Sequence, residues 1–165
     1  MRIGRLGDDM ANRNNGGRAT RKDAGISREV CVSLLKEVRD ITSYLPASAP
    51  GHGKVLGQVE VVDRALAANR YACAYQHTVL AGNQVFGHHY QATHQEFKRR
   101  FGGQLGSQLA MDIHGQIQRA SAHAKRKEFR LALHAIDVAN ERMQSLTVRR
   151  FVGAERESPS WAQAA

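Results

Sequence analysis

Cysteine and proline are scarce in this chain of 165 residues, and acidic side chains are too few to balance the basic ones. Two cysteines, Cys31 and Cys73, cannot staple a small secreted fold, and neither belongs to a CxxC pair. That excludes a disulfide scaffold and leads us to expect a reducing, cytoplasmic setting. Three prolines and an apolar share of 42% exclude collagen and a wholly disordered chain. The first nine residues have no apolar core of a secretory signal. A membrane-spanning run is missing too. Residues 71–95 carry no Lys, Arg, Asp or Glu, yet they hold Gln76, His77, Asn83, Gln84, His88, His89, Gln91, His94 and Gln95. Each such group costs roughly several kcal/mol in lipid, so no membrane partner is expected.

Positive charge is what the chain has in excess. Lys and Arg number 24 against 15 Asp and Glu, giving a net charge of +9, and 18 of the 24 are arginine. The isoelectric point is about 10.2. An enzyme of small-molecule metabolism gives no reason for such a balance, whereas a polyanionic partner does. The length fits one domain, able to hide about 70% of its unfolded surface.

Residues 1–25 are rich in Gly, Asn and Arg and have no apolar period; with six basic and three acidic side chains they read as a mobile basic arm. Ser27 can cap a helix with Glu29 in its first turn. Val30, Leu34, Leu35, Val38, Ile41 and Leu45 then share a face, and Pro46 stops it. Residues 46–53 form a linker. A long helix is predicted from near Lys54, with Val55, Val59, Val62, Leu66, Cys73 and Leu80 inward, stopped or kinked at Gly82-Asn83. Phe86, Tyr90, Phe97 and Phe101 mark the next face, and Gly102, Gly103 and Gly106 interrupt it. Leu105, Leu109, Ile113 and Ile117 repeat every four residues. A last helix covers about 128–152, with Phe129, Leu133, Ile136, Met143 and Leu146 inward and Gly153 at its end. Residues 154–165 read as a polar tail. No stretch alternates as a strand would. The expected fold is all-α, a bundle of four to five helices over 26–153 with a flexible basic N-terminal arm. Residues 120–143 resemble one helix pair of a tetratricopeptide repeat, but no second copy follows at the period of about 34 residues.

Motifs that would carry chemistry fall short. In Ser48-Ala49-Pro50-Gly51-His52-Gly53-Lys54-Val55, a phosphate loop would need Gly or Ala where Ser48 stands and a magnesium-binding Ser or Thr where Val55 stands. Among eight histidines, Cys73 and His77 lie four apart, and His88, His89 and His94 follow. Neither HExxH nor a paired CxxC is present, so no metal is expected. Asp112 and His114 are two apart and point different ways on a helix. Asp137 and Glu141 share a face, with Arg130 and Arg142 near enough to make them ion-pair partners. No catalytic residue and no cofactor is expected, and the protein reads as not an enzyme.

The charge map is more informative. Lys98-Arg99-Arg100 stands between two uncharged stretches; Arg119, Lys125-Arg126-Lys127, Arg130, Arg142 and Arg149-Arg150 follow. Residues 95–130 hold eight basic and three acidic side chains. Phosphate contacts need such side chains, and the arginine fork grips two oxygens at once. These eleven residues are the candidate nucleic-acid contacts. The uncharged stretch carries Tyr71, Tyr75, Phe86 and Tyr90. A helix without charge is covered on several sides, by the chain's own helices, by a second subunit or by stacked bases. Charge depletion with aromatics is typical of interface cores, so these four are the candidate partner interface, with base stacking the second choice.

In size, helicity and charge the whole chain resembles the small helical subunits of CRISPR effector complexes. It is similar in the same profile to the basic helix-bundle accessory proteins of diversity-generating reverse transcriptases. The resemblance implies a non-enzymatic subunit of a larger nucleoprotein assembly, holding RNA or single-stranded DNA by its backbone and docking on other subunits or on itself. The alternative is an oligomeric structural protein, for example of a phage particle, whose basic face neutralises packaged nucleic acid. No short glycine-turn helix pair suggests a duplex reader, so phosphate-dominated binding is expected.

Overall fold

The computed structural model describes residues 25–102 and 105–154, with side chains through residue 145. Five helices and no strand occur among the described residues: α1 (Arg28–Thr42), α2 (His52–Ala67), α3 (Tyr71–Phe101), α4 (Gln108–Lys125) and α5 (Phe129–Ala154). The all-α bundle expected from the sequence is the architecture found. Residues 1–24 of the basic arm and 155–165 of the tail lie outside the described residues, as do the side chains of Leu146, Arg149 and Arg150. No helix among the described residues is long and apolar enough to cross a membrane.

Two serines start helices, Ser27 as its sequence context predicts and Ser107 as the structure shows. Ser27 Oγ accepts from the Val30 N–H at 3.4 Å, and Ser107 Oγ accepts from the Ala110 N–H at 3.1 Å. Each satisfies one of the N–H groups a helix start leaves without a partner. On α1 the buried stripe is Cys31, Leu35, Val38 and Ile41, continued by Leu45. Val30, expected inward, is 48% exposed, and Cys31 takes its place as a small apolar group whose Sγ donates to the Tyr71 carbonyl.

The single long helix expected from Lys54 to Leu80 is two helices. α2 closes at Ala67, and the chain reverses through Asn69, which sits at φ +54°. The Asn69 N–H donates to the Leu66 carbonyl and the Arg70 N–H to the Ala65 carbonyl, at 3.0 and 2.8 Å, so the helix end is satisfied by a left-handed cap without Gly or Pro. Asparagine tolerates that conformation. Leu80, placed inward on the basis of one continuous helix, is 47% exposed.

The predicted stop at Gly82-Asn83 is also absent, because α3 runs through it for 31 residues. Gly82 is buried against Phe129, and a Cβ there would lie 2.4 Å from Cε2 of that ring. The glycine is a notch that admits the ring. Leu105 precedes α4 and is 44% exposed; α5 continues past Gly153 to Ala154.

α3 is central and touches each of the other four helices. Along its first half, Ala74 packs with Cys31, Leu35, Val62 and Ala65. Midway, Ala81 and Val85 join Val38, Ile41, Leu45, Val55, Phe129 and Leu133. Along its last half, Phe97 packs with Ile113, Ile117, Ala139 and Met143. The order of these contacts makes α1 and α5 parallel to α3, and α2 and α4 antiparallel to it. Two three-helix units thus share one helix of about 46 Å, and Phe129 sits where they meet.

Candidate nucleic-acid interface

The two main basic clusters stand at opposite ends of α4. Lys98, Arg99 and Arg100 occupy the last turn of α3, beside the start of α4, where cations suit the negative end of a helix dipole. Lys125 ends α4, and Arg126 and Lys127 form the turn into α5. The 18 residues of α4 separate them by about 27 Å. Arg119 lies between, exposed on α4, with Arg142 of α5 beside the same surface notch.

Five of the nine described candidates have a carboxylate partner in the chain. Arg99 and Arg100 both bind Glu96, and Arg100, the most buried of the set, also donates to the Met143 carbonyl. The hydrogen bonds from Arg99, then Arg100, hold the Glu96 carboxyl down at about 2. Arg126 Nε donates to Glu128 Oε2 at 3.0 Å, and His123 Nδ1 meets the same oxygen at 2.7 Å. The His123 contact is the main reason the Glu128 carboxyl titrates below its ordinary value, with Arg126 adding to it. Arg130 reaches Asp40 of α1, and its backbone N–H donates to Glu37 Oε1 at 2.7 Å. A carboxylate of α1 therefore caps the start of α5. Arg142 lies 3.6 Å from Asp112.

Lys98, Arg119 and Lys125 are exposed and Lys127 is half-buried, and none of the four has an ion-pair partner among the described residues. Lys127 stands at φ +67°. Its N–H donates to the Ala124 carbonyl and the Glu128 N–H to the His123 carbonyl, both at 3.0 Å, the arrangement in which glycine is the usual occupant. A lysine there carries backbone strain of about 1–2 kcal/mol.

The four aromatic candidates are half-buried against the chain's own clusters. Tyr71 and Tyr75 pack on the group around Cys31 and Ala74, and Tyr71 Oη donates to Asn69 Oδ1 at 2.9 Å. The Phe86 and Tyr90 rings meet tilted, 5.3 Å apart, and pack on Ala120 and Ile136, and His94 stacks on Tyr90 at 5.6 Å. Four surrounding helices supply much of the cover that the charge-free stretch requires. Tyr75 also lines a groove with Arg126, Lys127, Glu29 and Glu37.

The histidines are spread through the bundle. His77 Nδ1 lies 2.5 Å from Gln58 Oε1, and His114 Nε2 lies 2.8 Å from the Gln118 amide. His89 is held below its ordinary 6.5 chiefly by burial and by His88, against the pull of Asp137. Among the described residues no group of three or more His, Cys, Asp or Glu converges as a metal ion would need. The features the sequence did not show are the carboxylates of α1, Glu37 and Asp40, which lie about 90 residues from Arg130. No local signal marks them. Charge alternation along 28–40 shows only that α1 is a solvated helix.

No protein-family model matches the chain, no curated protein matches its sequence, and no solved structure matches its fold.

Proposed function

We propose that the protein is a non-enzymatic, arginine-rich nucleic-acid-binding subunit of a nucleoprotein assembly, gripping RNA or single-stranded DNA by the backbone along α4. The observation that carries this reading is the set of four cations without carboxylate partners among the described residues: Lys98 and Lys127 at the two ends of α4, Arg119 and Lys125 on its outer face. The exposed face of α4 carries one carboxylate, Asp112. No carboxylate stands three or four residues from Lys98, Arg119 or Lys127 to balance them along the helix.

The paired arginines can join them. Exposed ion pairs are worth about 0–1 kcal/mol, so a phosphate can take over Arg99 or Arg126 at small cost. Lys127 adds support, since a strained lysine replaces the glycine that would suit its backbone. Phosphate-dominated binding of this kind is weakly dependent on sequence and strongly dependent on salt.

Fluorescence anisotropy with a labelled single-stranded RNA or DNA 20-mer, at two salt concentrations, tests the reading. Binding that weakens steeply with salt is expected, with a slope of several phosphates. Glu substitutions at Lys98, Arg119, Lys125 and Lys127 should abolish it with helicity intact by circular dichroism. Arg100 is a poor choice for such reversal, because its guanidinium joins α3 to α5 through the Met143 carbonyl. A wild-type response that is flat in salt, or no binding in low salt, overturns the proposal.

A further inference from the structure

A notch on the outer face of the α4–α5 pair has the chemistry of a phosphate seat. Met111, Asp112, Gly115, Gln116, Arg119 and Arg142 line it. Its volume of about 260 Å³ is several times the ~30 Å³ that one water occupies in the liquid. A Cβ on Gly115 would meet nothing within 4 Å, so the backbone there lies open to whatever enters.

Two guanidinium groups from different helices border this space, and only one carboxylate opposes them. Arg119 has no ion-pair partner among the described residues. Arg142 is loosely held: its Nη1 is 3.6 Å from Asp112 Oδ2, whereas the ion pairs of Arg39, Arg99 and Arg126 are 2.6 to 3.0 Å. The other oxygen of Asp112 accepts from the Gln108 amide at 3.0 Å. The carboxylate therefore keeps an anchor on its own helix if Arg142 turns to another anion. Planar guanidinium forks suit the tetrahedral oxygens of a phosphate, and the Gln116 amide adds a neutral donor.

We infer that this notch binds one phosphate group, held by Arg119 and Arg142 beside Gly115, with Asp112 as the internal anion it displaces from Arg142. The inference rests on the nucleic-acid reading only for what carries the phosphate. Because Asp112 repels the incoming anion as well as competing for Arg142, Asp112→Asn should tighten binding, opposite to the effect of removing either arginine.

The full-length chain, labelled with ¹⁵N, is titrated with inorganic phosphate and, at matched ionic strength, with chloride. Saturable shifts of the Gly115 and Gln116 amides with phosphate alone are expected, stronger in Asp112→Asn, and the Gln116 shift is lost in Gly115→Leu, whose side chain takes up space in the notch. Since leucine favours helix over glycine, loss in that variant cannot be assigned to unfolding. In parallel, strand binding should weaken about tenfold in Arg119→Ala, with the salt slope lower by about one. Strands with and without a 5′-phosphate separate the sources: equal affinity marks a phosphodiester, preference for the phosphorylated end a terminal phosphate. Phosphate shifts at the notch without strand binding would keep the site and sink the nucleic-acid reading. Strand binding with Gly115 unmoved by phosphate and Arg119→Ala neutral would overturn the site and leave that reading standing.

Discussion

Along its first half α3 lies against α1 and α2; along its last half it lies against α4 and α5. Both units bury the same kind of apolar seam, but their outer surfaces differ. Residues 25–70 hold six basic and five acidic side chains, and residues 71–145 hold nine and five. In the first unit Arg39 on α1 makes a bidentate contact with Asp63 on α2 at 2.6 and 2.7 Å, while Arg28, Lys36, Lys54 and Arg70 are exposed. The unit's spare carboxylates, Glu37 and Asp40, reach across to the start of α5. In the second unit five of the nine cations meet carboxylates, yet the excess is larger, +4 against +1. Similar packing inside goes with unequal net charge outside, and the proposed binding surface lies on the more basic unit.

The joint between the units is the place to break this comparison. Phe129 is fully buried where they meet. Phe129→Ala should cost about 3–5 kcal/mol, read by urea unfolding with calorimetry as a check. A loss below 1 kcal/mol would mean that the units do not depend on their shared joint. Charge reversal at Arg119 and Lys125 should weaken strand binding roughly 100-fold, or about 2.7 kcal/mol. The same reversal at Lys36 and Arg64 of the first unit should leave it within about threefold. Equal losses from the two pairs would erase the distinction drawn here.

Two glycines sharpen it further. Gly82→Ala should destabilise by about 2 kcal/mol, since the ring of Phe129 blocks the new methyl. Gly115→Ala should instead stabilise by about 0.5–1 kcal/mol, because its methyl meets open space in a helix. Lys127→Gly should stabilise by about 1 kcal/mol through relief at φ +67°, while strand affinity falls.

The smallest effects are those of pH. His89 is depressed below 6.5 by burial, so its contribution is complete above pH 6.5 and fades as pH falls. Glu96 is depressed from 4.5 to about 2, so its contribution is lost between those values. Melting temperature should be level above neutrality and fall in two stages on acidification, with the first stage absent in His89→Gln.

Much of the fold was legible because local rules govern helix starts and stripes. Ser27 caps as expected, and Leu35, Val38, Ile41, Ile113, Ile117 and Ile136 point inward as their spacing predicts. The reversal at Asn69 was hidden because neither Gly nor Pro marks it, and Leu66, Cys73 and Leu80 follow one another at seven-residue steps across it. Gly82 misled for the opposite reason. A glycine reads as a break when its partner ring, 47 residues later, is unknown. The basic clusters were visible as runs of letters. Their separation along α4 and the capture of Arg130 by α1 depend on tertiary contacts, which spacing within one segment does not encode.

The continuity of α3 has a mechanical consequence. Bending between domains needs a few loop or terminal residues to absorb the rotation, and α3 offers none between Tyr71 and Phe101. At the crossing its backbone is wedged by an aromatic ring, so twist is resisted as well as flexion. The two ends therefore turn as one shaft, and whatever is gripped on α4 keeps a fixed azimuth relative to anything seated on α1 and α2.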